Sequence, residues 1–146
     1  MPQLDSYIFF NGDCAEAMAF YHRILGGTLE PMMKYGDAPP QPGGPQTCPP
    51  GDVNRVMHTA LHLGDRMIMA SDLPAAQDGQ AAQRFALSLT YEAPAEARRI
   101  FDALAAGGAV MMPMGETFWS EAFGMFTDRF GTHWMVGGGA KKQQPA

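Results

Sequence analysis

Apolar residues in this chain recur with two different periods, and the switches between them mark out short elements. Leu4 to Phe10 reads as a strand, ended by Asn11-Gly12-Asp13, where Asp13 stands as the N-cap of a helix. In that helix Cys14, Ala17, Met18, Tyr21, Ile24 and Leu25 return on one face, and Gly26-Gly27 stops it. Thr28 to Tyr35, Arg55 to Leu63 and Arg66 to Ser71 read as strands, the last two joined by a tight turn at Gly64-Asp65. The order then recurs. A strand from Phe85 to Tyr91 precedes a helix from Pro94 to about Ala106, with Ala97, Ile100, Phe101 and Leu104 on one face and a Gly107-Gly108 stop. Strands near 109–114, 123–128 and 132–136 complete it.

The two halves share residues as well as order. Ala15-Glu16-Ala17 and Ala95-Glu96-Ala97 open the two helices, and Gly64-Asp65-Arg66-Met67-Ile68-Met69 matches Gly131-Thr132-His133-Trp134-Met135 once one turn residue is allowed for. An internal duplication accounts for this: an α+β chain of two tandem βαβββ modules, about 4–72 and 84–137, within one domain of residues 1–138. The Pro/Gly-rich stretch 36–54 cannot sustain a helix or a strand and reads as a long loop, placed as a mobile flap at a cavity mouth. Residues 139–146 read as a flexible tail.

Composition narrows the function classes. The 146 residues, 46% of them hydrophobic, suffice for one core. A net charge of -5 without a basic run disfavours nucleic acid and anionic membrane as partners. The start MPQLDSYIFF has no basic leader, and no stretch approaches the ~20 apolar residues of a span, which predicts a cytoplasmic protein. Two distant cysteines, Cys14 and Cys48, suit reduced thiols.

The stretches "FFNGDCAEAMAFY", "LGDRMIMASD" and "ETFWSEAFGMFTDRFGTHWMV" resemble the PhnB-like branch of the vicinal oxygen chelate superfamily, which groups glyoxalase I, bleomycin-resistance proteins and extradiol dioxygenases. The likeness extends from Leu4 to Val136. It implies the paired-module glyoxalase/dioxygenase fold; a homodimer is expected on separate grounds, because curved sheets lined with Ile8, Phe10, Met69 and Met135 would be a large apolar patch if left bare. The ubiquinone methylation sometimes attached to the branch is not adopted, because no Gly-rich strand-to-helix loop of nucleotide-binding type is present. The resemblance further implies a divalent metal held by His, Glu or Gln from four strands. Those positions fall at Ser6, Met69, Ala86 and Met135, none of them a hard-metal ligand, so no cofactor is expected and a divalent ion is left without matched ligands.

Strand alternation predicts the lining of the emptied cavity: Ser6, Ile8 and Phe10; His58, Ala60 and His62; Met67, Met69 and Ser71; Ala86, Ser88 and Thr90; His133, Met135 and Gly137. Tyr7, Phe9, Leu87, Leu89, Trp134 and Val136 then lie under the helices. The loop after Pro113 is expected to bring Glu116, Trp119 and Phe123 into one wall facing His58. Ser6, Ile8, Met69, Ala86, Ser88, Trp119, Phe123, His133 and Met135 are the expected contacts of a small, partly apolar molecule. His58 and Glu116 are the candidates for moving a proton, Glu116 if desolvation raises its pKa. Each has a plainer reading, as a structural histidine, a solvated carboxylate or a core aromatic. Cys14 reads as a buried small hydrophobe sooner than a nucleophile. Two functions follow: a binding protein that sequesters its ligand, or a metal-independent isomerase, lyase or transferase.

Overall fold

The computed structural model describes residues 5–37, 50–77 and 86–141, and the chain divides into two compact units, Met1–Ala82 and Gln83–Ala146. In the first, strand β1 (Ser6–Phe10) and helix α1 (Cys14–Leu25) precede strands β2 (Thr28–Leu29), β3 (Met33–Lys34), β4 (Val56–Leu63) and β5 (Arg66–Asp72). The sheet order is β1-β5-β4-β2, with β3 also on β4; β1 runs parallel to β5 and the other pairs are antiparallel. The strand expected over Thr28–Tyr35 is therefore two fragments. Pro31 has no N–H to place in a ladder, and Tyr35–Asp37 coils into a 3-10 turn. The flap expected over 36–54 lies largely outside the described residues, as does the tail from 142.

The second unit repeats the plan with β6 (Leu87–Tyr91), α2 (Pro94–Ala105), β7 (Ala109–Gly115), β8 (Ser120–Thr127) and β9 (His133–Ala140) in the order β6-β9-β8-β7. Strand β9 outlasts the expected end at 136, because Gly137 and Gly138 still pair with Phe123 and Ala122, so the tail begins later than its glycines suggest. Among the described residues no helix is long and apolar enough to cross a membrane.

Each helix ends on a glycine pair whose second member is irreplaceable for a spatial reason. A Cβ on Gly27 would sit 2.2 Å from the His62 carbonyl oxygen, and one on Gly108 would sit 2.1 Å from that of Thr127. The two backbones touch the third strand of their sheet at matching points, which sets His62 equivalent to Thr127 and, through the hairpins, Met69 equivalent to Met135.

Helix α2 defines the faces of its sheet. Phe101 meets Phe126 edge-on at 4.9 Å, while Gly124 and Gly138 leave room for Phe101 and Ala97. Phe126, Trp134 and Val136 are thus core, and Phe123, Met125, Thr127, His133 and Met135 alternate onto the face turned away from the helix. In the first unit Leu61 and Ile68 pair as Phe126 and Trp134 do, and the same alternation sends His58, Ala60, His62, Met67 and Met69 to the open face.

One strand departs from expectation. Tyr7 pairs with Met69, and Ile8 and Phe10 are buried while Phe9 is exposed. The assignment of Ser6, Ile8 and Phe10 to the open face is therefore corrected: Tyr7 and Phe9 stand there instead.

Each unit is fastened internally by one buried carboxylate. Asp72 accepts hydrogen bonds from the backbone N–H groups of Gly12 (2.8 Å), Cys14 (3.0 Å) and Val56 (2.9 Å). It satisfies the start of α1, whereas Asp13 occupies the N-cap position without a side-chain bond. Asp128 accepts from the N–H groups of Phe130 and Thr132 and from Trp134 Nε1 at 2.8 Å. Cys14 is buried at the helix start, and its thiol is pushed far up by burial and by the nearby Asp72 and Asp13 charges, which makes it a hydrophobe here and no nucleophile.

Candidate functional site

The open face of the second sheet carries most of the predicted ligand contacts. Beyond Gly115 the chain leaves β7 and exposes Phe118 and Trp119 before β8 begins; Phe118 meets Trp119 at 4.7 Å and Trp119 meets Phe123 at 5.3 Å, both edge-on. Phe118 is 79% exposed and Trp119 37%. Phe123 stands beside Gly137, whose missing side chain leaves the ring its place. A row then crosses the sheet in register, Ser88 on β6, Met135 on β9, Met125 on β8 and Met112 on β7. One pair further along, Thr127 Oγ1 and His133 Nδ1 lie 2.8 Å apart, and the Thr127 hydroxyl also reaches Met111 Sδ at 3.7 Å. Ala86 precedes β6 on the Ser88 side.

Glu116 differs from the others. It is fully exposed and ion-paired with Lys141, whose hydrogen bond and charge hold the carboxyl below the usual carboxylate range. The hydrogen bond and charge of Lys141 outweigh the slight desolvation that would raise it, so the carboxylate is a surface anion tied to the end of β9.

In the first unit the open face brings Tyr7, His58 and Met69 together. Tyr7 Oη lies 3.5 Å from His58 Nδ1, at the limit of a hydrogen bond, and its ring is tilted on His58 at 6.0 Å and on Phe9 at 4.9 Å. His62 Nε2 is 2.6 Å from Glu30 Oε2 in a half-exposed ion pair. Ser6 and Ile8 belong to the opposite side of β1, Ile8 being 1% exposed.

The register also tests the divalent metal. Around Met69 stand Tyr7 and Ala60, and around Met135 stand Ser88 and Met125. The expected match of Ser6 with Ala86 becomes a match of Tyr7 with Ser88. Thioethers, a phenol, a hydroxyl and a methyl group are not a hard-cation donor set, and among the described residues no group of three or more His, Cys, Asp or Glu could hold an ion. Such a metal does not fit these positions.

Sequence reasoning missed Tyr7, Thr127, Glu30 and Lys141. Thr127 had a signal, since it sits where the hairpin must return opposite His133; the partners of Glu30 and Glu116 are 32 and 25 residues away and left none.

Residues 3–136 match the Glyoxalase/Bleomycin resistance protein/Dioxygenase superfamily. The chain is 37% identical to Protein YjdN of Escherichia coli (strain K12) over 150 residues, covering 99% of each. It superposes on the crystal structure of protein PA1353 from Pseudomonas aeruginosa with a TM-score of 0.84 at 44% identity, over 94% of this chain and 98% of that one. A Bacillus cereus PhnB protein, described as a putative 3-demethylubiquinone-9 3-methyltransferase, shares the fold with a TM-score of 0.75 at 24% identity, over 94% and 99% of the two chains.

Proposed function

Because the chain belongs to the Glyoxalase/Bleomycin resistance protein/Dioxygenase superfamily, we propose that it binds a small, flat, partly aromatic molecule without a divalent metal and sequesters it. The observation that carries this reading is the Phe118–Trp119–Phe123 stack, aromatic surface left open to solvent beside the methionine row. Exposed Trp at 37% and Phe at 79% are costly in water unless something covers them for part of the time. The edge-on rings offer faces and edges to a planar guest, and the thioethers adapt to its outline. A second copy of the chain is the proposed macromolecular partner, and sedimentation velocity at micromolar concentration checks it by the mass observed.

The enzyme reading rests on His58 alone. Its approach to Tyr7 Oη gives a pair able to pass a proton, whereas Glu116 is held ionised by Lys141 and is a poor base.

Intrinsic fluorescence tests the binding reading with 4-hydroxybiphenyl as probe. Trp134 is 1% exposed and bonded to Asp128, so quenching by the probe reports on Trp119. Trp119→Ala should weaken binding, followed by calorimetry, by about 1–3 kcal/mol, or roughly 5- to 150-fold, with the melting temperature retained. Unchanged affinity in that variant refutes the reading.

A further inference from the structure

The thioethers of Met125 and Met135 that disqualify a hard divalent ion suit a soft one, and the geometry points to a monovalent cation, Cu(I) or Ag(I), bound by Met125, Met135 and the neighbouring His133 on the open face of the second sheet. This goes beyond the small-molecule reading and does not depend on it.

Met125 and Met135 are direct register partners, so their side chains leave the sheet side by side with Cβ atoms ~5 Å apart. Both are half-exposed and face away from the core, which is filled instead by Phe126, Trp134 and Val136; they are not gap-fillers of the interior. His133 follows on the same face two residues along β9, ~7 Å from Met135. Two thioethers and an imidazole make a soft, low-charge donor set, preferred by Cu(I) and declined by Mg, Mn or Ca.

The imidazole is also prepared for this. A metal on Nε2 requires the proton on Nδ1, and Thr127 Oγ1, 2.8 Å away, is placed to accept that N–H. The Thr127 hydroxyl then turns its own proton to Met111 Sδ at 3.7 Å. Among the described residues Nε2 has no protein partner. The first unit lacks the arrangement: Met69 faces Ala60 across the hairpin, and His62 beside Met67 is engaged by Glu30.

The test is a titration of the full chain, labelled with 13C at the methionine methyl groups, with silver nitrate in chloride-free buffer and enough Ag(I) to saturate the thiols. The Met125 and Met135 methyl signals should shift together on one isotherm of one ion per chain. His133→Phe and Met125→Leu/Met135→Leu should each weaken that isotherm tenfold or more, and Met33→Leu should leave it unchanged. Should the double variant fail to fold, His133→Phe and the wild-type shifts decide the matter. Signals of Met125 and Met135 that stay fixed after thiol saturation, shifts confined to Met111, or an isotherm indifferent to His133→Phe overturns the assignment.

Discussion

Single side chains do unequal work in this protein. Asp72 and Asp128 each accept from three N–H groups, two of them in buried hydrogen bonds, so truncation strands interior donors. Asp128→Ala should cost about 2–4 kcal/mol in urea unfolding, and Asp72→Ala a similar amount. Glu116 behaves otherwise. Its folded pKa is lowered by Lys141, so whatever the pair contributes is present above the unfolded carboxyl pKa and lost as pH falls through the folded one. At full exposure the stability effect is small, but the titration is measurable: Lys141→Ala should raise the Glu116 midpoint in a 13C-carboxyl NMR titration. Sequence alone placed Glu116 beside the aromatics but not its partner. It likewise named Asp13 as the cap of α1, because a cap delivered by Asp72 from 58 residues away leaves no local trace.

Among the elements, legibility followed the contrast between the two sides of each strand. Leu87-Ser88-Leu89-Thr90 alternates apolar with polar, and β6 was read with its faces correct. Tyr7-Ile8-Phe9-Phe10 is apolar on both sides, so period two carries no sign, and only the register of Tyr7 with Met69 reveals which side meets the helix. The helices were legible almost to the residue because apolar spacing and Gly-Gly stops agree. The two glycines of a stop are nevertheless not equivalent. A Cβ on Gly26 meets nothing within 4 Å, so Gly26→Ala, with φ at 78°, should cost about 1 kcal/mol. Gly27→Ala adds a clash with the His62 carbonyl and should cost about 3 kcal/mol or more, as thermal unfolding of the two variants would show.

For the whole molecule, the duplication was legible because it repeats order, helix openings and hairpins together. A partner or ligand is not legible in the same way, since exposed aromatics carry no record of what would cover them. The poor fit of a divalent ion to the Met69 and Met135 positions predicts the same melting temperature with and without EDTA, because a tightly held ion adds stability by mass action and its removal would show as a downward shift.

Strand β7 closes one end of its sheet with Val110, Met111 and Met112 exposed at 50%, 64% and 37%. A row of that kind invites amyloid-like zipping of chain onto chain, yet its pairing with β8 slips twice, and Pro113 within the strand has no N–H to give to any ladder. Each irregularity spoils the template that a fibril needs, at a strand whose apolar surface would otherwise propagate it. Pro113→Thr should therefore leave the native fold in place while shortening the lag before thioflavin-positive fibres form on prolonged agitation, and an unchanged lag would show that the register slips alone protect this edge.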